Sequence, residues 1–210
     1  MVEVGKKAPA FKLPSSDGGD VELAKLAGKI VVLYFYPRDN TPGCTIEAQD
    51  FRDAMPTMKK LGAVVLGVSK DSIASHCKFR DKFGLTFPLL TDSDGAMMTA
   101  YGAWGEKLMY GKPVTGIIRS TVLIGDNGDV LRHWPRVSAN GHAAQVLTTV
   151  SEIRGAAAPA LAKVPAGTPP AGTPVIAAKA KPAAPAKAAA AKPAPAKVAA
   201  ATPAPAPAKK

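Results

Sequence analysis

The chain holds two cysteines, Cys44 and Cys77, in different local settings. Cys44 ends the string Pro37-Arg38-Asp39-Asn40-Thr41-Pro42-Gly43-Cys44, which follows an apolar run at 30–36. Thr41 is a suitable helix N-cap and Pro42 a suitable first helical residue. Cys44 is therefore expected in the first turn of a helix, where backbone N–H groups lack helical partners. The positive end of the helix dipole there favours a thiolate over a thiol. The thiolate is the nucleophilic form, so the placement suits a reactive cysteine. On placement alone, a structural cysteine buried at a helix start fits equally well.

The other candidates are fewer. Cys44 is followed by Thr45, Ile46 and Glu47, so the Cys-x-x-Cys pair of a disulfide reductase is absent. Cys77 lies in Ser75-His76-Cys77-Lys78-Phe79, within a stretch that reads as helix. His76 reads as a helix-surface residue rather than a base, and His133 and His142 receive no role. No His, Cys and carboxylate residues recur at ligand spacing, so neither a metal nor a cofactor is expected.

The elements that must position these residues alternate. Residues 30–36 (IVVLYFY) and 63–68 (AVVLGV) are unbroken apolar runs, as expected of strands buried on both faces. Between them, 41–61 reads as a helix interrupted near Pro56. A second helix is expected over 71–83, with Asp71 or Ser72 as cap and Gly84 as stop. A short extended piece at 86–90 and a short helix at 92–101 come next. A strand at 121–124, the turn Asp126-Asn127-Gly128 and a hairpin partner at 130–134 follow. An amphipathic helix over 140–154 closes the domain. Strand–helix alternation ending in a hairpin and a helix predicts an α/β chain with a mixed sheet, and a thioredoxin-like fold with helices flanking that sheet is the natural candidate.

Composition divides the chain near residue 154. From Gly155 onward there are twelve prolines, eight lysines, and no acidic residue, aromatic residue or cysteine. Such a segment cannot build a core and is expected to be disordered. The domains are thus 1–154, a folded domain, and 155–210, an Ala/Pro/Lys-rich tail. The chain's net charge is +11, but residues 1–154 hold 19 basic and 16 acidic residues, so the basicity belongs mainly to the tail. Charge gives little support to nucleic-acid binding by the fold. The tail resembles linker-histone tails in composition and is the one segment that could contact phosphates. Its lysines are sparse, however, and a solvated extension is the plainer reading. No secretory signal or membrane-spanning run is visible, and two cysteines are too few for a disulfide scaffold. A cytoplasmic setting is expected.

Pro37, Thr41 and Cys44 stand in the pattern Pro-x-x-x-Thr-x-x-Cys, which is the active-site motif of the peroxiredoxins. The longer string Thr41-Pro42-Gly43-Cys44-Thr45-Ile46-Glu47 resembles the Q-type peroxiredoxins, or bacterioferritin comigratory proteins. Further matches follow in Gly67-Val68-Ser69-Lys70-Asp71-Ser72, in Trp104-Gly105-Glu106-Lys107 with Met109-Tyr110-Gly111, and in Gly116-Ile117-Ile118-Arg119-Ser120-Thr121. The resemblance spans residues 4 to 153.

The resemblance implies a thiol-dependent peroxidase for hydrogen peroxide and organic hydroperoxides. It makes Cys44 the peroxidatic cysteine. Arg119, reaching from its strand, would hold the thiolate and hydrogen-bond the peroxide. Thr41 would offer its hydroxyl to the peroxide, and Pro37 would shield the thiolate from water. The amides of Gly43 and Cys44 would serve as further donors, and Glu47 could orient Arg119. Taken without the motif, Arg119 reads as a surface-paired strand residue and Glu47 as a solvated helix position. Many relatives carry a resolving cysteine five residues after the first, where this chain has Gln49. A subgroup places it on the second helix, which makes Cys77 the candidate for an intramolecular disulfide with Cys44. The alternative is a one-cysteine enzyme served by an external thiol. The resemblance also implies recycling by thioredoxin or a similar thiol reductant, and a monomer.

Overall fold

The computed structural model describes residues 2–109 and 112–155. Tyr110 and Gly111 of the matching string, and the tail expected beyond Gly155, lie outside the described residues.

Strands β1 (Lys12–Pro14) and β2 (Asp20–Glu22) form a small antiparallel hairpin, followed by a 3-10 turn at Leu23–Leu26. The chain then builds β3 (Ile30–Phe35), α1 (Pro42–Lys60), β4 (Ala63–Ser69), α2 (Ile73–Phe83), β5 (Leu89–Thr91) and α3 (Ala96–Ala100). A second hairpin, β6 (Trp104–Met109) with β7 (Lys112–Ile117), precedes β8 (Ser120–Ile124), β9 (Val130–Trp134) and α4 (His142–Ile153). The central sheet has the order β5-β4-β3-β8-β9. Its β3–β4 and β4–β5 pairs are parallel, and its β3–β8 and β8–β9 pairs antiparallel. This is the expected mixed sheet of a thioredoxin-like fold, with helices on both faces.

Every residue of β3 is buried, because the strand lies at the centre of a sheet covered on both sides. Side chains alternate across a strand. Ile30, Val32 and Tyr34 accordingly join α1, α2 and α4 in one core. Val31, Leu33 and Phe35 join Phe11, α3 and Tyr101 in the other. Gly67 pairs with Tyr34 across the parallel β3–β4 ladder. A Cβ on Gly67 would stand 2.7 Å from both the Tyr34 hydroxyl oxygen and a Leu89 methyl, so glycine makes the room for the ring.

Helix α1 is not interrupted. It runs through Pro56, which lies on its exposed side. The proline removes one backbone donor, and on that side water can satisfy the carbonyl it leaves behind. The expected cap and stop of the second helix are present. The Ser72 hydroxyl accepts from the Ser75 amide, and Gly84 ends α2 in the left-handed region at φ 61°. The 92–101 helix shortens to α3; the first hairpin escapes the apolar pattern because its strands have three residues each, and the second because β7 is mostly exposed or half-buried. No described helix is long and apolar enough to cross a membrane.

Candidate active site

Cys44 is the third residue of α1, 1% exposed, and sits at the edge of the core that also holds Tyr34 and Phe51. The first helical bond of this turn runs from the Thr45 amide to the Thr41 carbonyl. The Gly43 and Cys44 amides lie ahead of that bond, at the positive end of the helix.

Arg119 lies in the two-residue link between β7 and β8, not on a strand as the sequence reading had it. The link is held on both sides: the Ile118 amide donates to the Ala103 carbonyl, and the Arg119 carbonyl accepts from the Val137 amide. Leaving the ladder for two residues turns the Arg119 side chain toward the helix start. Its Nη2 donates to Cys44 Sγ at 3.1 Å, and its Nη1 donates to a Glu47 carboxylate oxygen. Burial opposes the guanidinium charge, but Glu47 and Cys44 outweigh it and raise the Arg119 pKa.

Glu47 sits one turn after Cys44 and is completely buried, not solvated. Burial pushes its pKa up from 4.5 to about 7 against the opposing pull of Arg119. Its second oxygen has no hydrogen-bond partner. A short helical spacing, i to i+3, thus puts the thiol and the carboxyl on the same guanidinium.

Thr41 takes the N-cap position by its backbone, but its hydroxyl does not cap the helix. It donates instead to the Arg38 carbonyl at 3.1 Å, which leaves its oxygen lone pairs available as acceptors. Pro37 opens the loop and is half-buried. Ala139 packs toward Gly43 from the β9–α4 connection, 3.7 Å from where a Gly43 Cβ would stand.

Cys77 is half-buried on α2, and its thiol points to the Ser16 carbonyl at 3.6 Å. Both cysteines are free, and the fold does not bring their sulfurs into a bridge.

His76 is a correction. It is fully buried rather than on the helix surface, and its Nδ1 bonds the Asp39 carboxylate at 3.0 Å. The helix turns this position inward beside Phe79, where the loop ahead of α1 supplies a partner. Neither Asp39 nor His76 carries a local sequence signal for this pairing, because 37 residues separate them.

A family model described as the AhpC/TSA family matches residues 4–133. A putative peroxiredoxin bcp of Coxiella burnetii is 47% identical over 146 residues, 70% of this chain and 97% of the relative. Peroxiredoxin Bcp of Bacillus subtilis is 43% identical over 152 residues, 72% of this chain and 97% of the relative. A structure of the Xanthomonas campestris bacterioferritin comigratory protein, studied for alkyl peroxide reduction, superposes with a TM-score of 0.68. It shares 42% identity and covers 72% of this chain and 99% of its own. The matched span, the mixed sheet and the thiol held at a helix start agree, and the chain belongs to the AhpC/TSA family and, within it, to the peroxiredoxins, which are thiol-dependent peroxidases.

Proposed function

We propose that Cys44 is the peroxidatic cysteine, that Arg119, Thr41 and Pro37 form its site, and that Cys77 resolves it. The observation that carries the reading is the Arg119 guanidinium 3.1 Å from the Cys44 sulfur at the start of α1. A positive helix end and a fixed cation stand where negative charge on the sulfur or the peroxide oxygens would be met.

The chemistry follows from these groups. The Cys44 thiolate attacks one peroxide oxygen, an S–O bond forms and the O–O bond breaks. The departing oxygen leaves as water or an alcohol after taking a proton, and Cys44 becomes a sulfenic acid. Arg119 and the amides of Gly43 and Cys44 meet the negative charge that develops on oxygen. The Thr41 oxygen accepts the peroxide hydrogen, and Pro37 limits access of bulk water. The Cys77 thiolate then attacks the Cys44 sulfur and displaces hydroxide, which leaves as water, and the disulfide forms. An external dithiol, thioredoxin by chemical class, returns two electrons and two protons. Cys44 faces Arg119 and Cys77 faces the Ser16 carbonyl, so forming the bridge requires these segments to move.

In this reading residues 1–154 are the whole peroxidase domain, working as a monomer in the cytoplasm. The tail 155–210 adds no catalytic group, since it holds no cysteine, histidine or acidic residue. Neither nucleic acid nor membrane is a partner of the domain.

Intact mass after one equivalent of hydrogen peroxide tests the assignment on wild type and Cys77→Ser. Loss of two hydrogens in wild type, with trappable sulfenic acid in the variant, is expected. Sulfenic acid in both proteins would mean a one-cysteine enzyme served by an external thiol. No rapid modification of Cys44 in either would refute the site.

A further inference from the structure

A second buried polar cluster joins the two cysteine-bearing segments. Asp39 lies in the loop ahead of Cys44, with its side chain 2% exposed. One carboxylate oxygen accepts from the Tyr36 hydroxyl at 2.8 Å. The other accepts from the Ser75 hydroxyl at 2.7 Å and from His76 Nδ1 at 3.0 Å. A carboxylate can only accept, so Nδ1 carries a hydrogen at this contact. Burial would raise the Asp39 pKa, but the bonds from His76 and Ser75 and the nearby imidazole outweigh it and hold the carboxyl below its ordinary value. The Asp39 amide also donates to the Asp71 carboxylate at 2.9 Å. One loop residue is thereby tied three ways to 71–76, the segment that leads into α2, and Cys77 follows His76 directly.

Part-way separation of this linkage is costly. It would leave a carboxylate, and the already unpartnered Nε2 of His76, buried beside Tyr36. Leaving a buried carboxylate without its donors is costly, whereas full opening restores water to both groups. Asn40, next in the loop, is held at φ 57°, a left-handed conformation that non-glycine residues adopt sparingly. The loop between Asp39 and Cys44 is therefore held from its Asp39 end.

We infer that Asp39 and His76 are positioning residues whose buried pair latches the Cys44 loop to the start of α2, so that the two segments open as one unit and this opening sets the rate at which Cys77 reaches Cys44. The second clause rests on Cys77 being the resolving thiol. With the latch closed, Cys44 stays against Arg119 for the peroxide step. With it open, both segments are released for the disulfide step.

The test uses the full chain as wild type, Asp39→Asn, His76→Phe and His76→Asn, whose amide can replace the Nδ1 donor. Rapid-quench intact mass reads sulfenic acid formation and the later loss of water separately. Hydrogen exchange reads peptides covering 37–44 and 73–77. Asp39→Asn and His76→Phe are expected to speed the disulfide step about tenfold or more, with sulfenic acid formation changed far less. His76→Asn is expected to return most of the wild-type rate. Exchange is expected to rise in both segments together. Folded variants with an unchanged disulfide rate and unchanged exchange overturn the latch. If Asp39→Asn fails to fold, Tyr36→Phe removes one donor to the same carboxylate and must shift both readouts in the same direction. Wild type that stops at sulfenic acid refutes the resolving role of Cys77, and exchange then decides the latch alone. A joint rise upholds it, and a rise in one segment only overturns it.

Discussion

Arg119 Nη2 lies 3.1 Å from Cys44 Sγ although 75 residues separate them in the chain. The contact depends on Arg119 standing between two strands and Cys44 within the first turn of a helix. The same guanidinium holds the buried Glu47, so the thiol's cation is fixed by a second anchor.

Replacing Arg119 should therefore act on the peroxide step. Lysine keeps a charge but loses the planar fork that serves Cys44 and Glu47 at once. Arg119→Lys should slow sulfenic acid formation by about 10- to 100-fold, and Arg119→Ala by about 100- to 1,000-fold. Stopped-flow oxidation with hydrogen peroxide measures both. Rates within threefold of wild type would remove Arg119 from the site.

Glu47 should make stability depend on pH. Its pKa is about 7 in the fold against an ordinary 4.5, so the folded state binds the proton more tightly. That contribution is fully present below about pH 4.5 and is lost as pH rises toward and through about 7. The loss is on the order of 3 kcal/mol. Urea midpoints between these limits should fall more in wild type than in Glu47→Gln, which keeps a carbonyl for Arg119 without titrating. Parallel curves would show that Glu47 does not titrate in this window.

Thr41 should contribute through its oxygen. Thr41→Val keeps the shape but removes the acceptor, and kcat/KM for hydroperoxide should drop about tenfold. Thr41→Ser should stay close to wild type. Because the hydroxyl does not cap α1, thermal stability should change little in either variant. A large loss of stability with unchanged kcat/KM would assign Thr41 a structural role instead.

Gly67 and Tyr34 give a packing test in the core that borders the site. Gly67→Ala drives a methyl to within 2.7 Å of Tyr34 and Leu89, and should destabilise by about 1–3 kcal/mol. Tyr34→Phe removes a buried hydroxyl that has no partner, and should be neutral or stabilising. Equilibrium urea unfolding of each reads the signs directly. A stable Gly67→Ala protein would mean that the β3–β4 ladder shifts freely.

Much of this protein is local, and what is local is legible. The apolar runs of β3 and β4 announce strands buried on both faces, because only such strands can be apolar at every position. Thr41, Pro42 and Cys44 announce a helix start and a thiol placed in it, because capping and first-turn chemistry act over a few residues. Ser72 and Gly84 bound α2 for the same reason. The turn at 126–128 fixes the last hairpin. What the sequence could not supply is whatever depends on distant segments meeting. Pro56 looks like a break until the helix shows it facing water. Glu47 and His76 look like surface positions on their helices, since periodicity says which residues share a face but not what covers that face. Only the packed fold brings Arg119 across to bury Glu47, and the 37–44 loop across to bury His76. Burial and partners then decide their charges, and these long-range contacts carry no pattern along the chain.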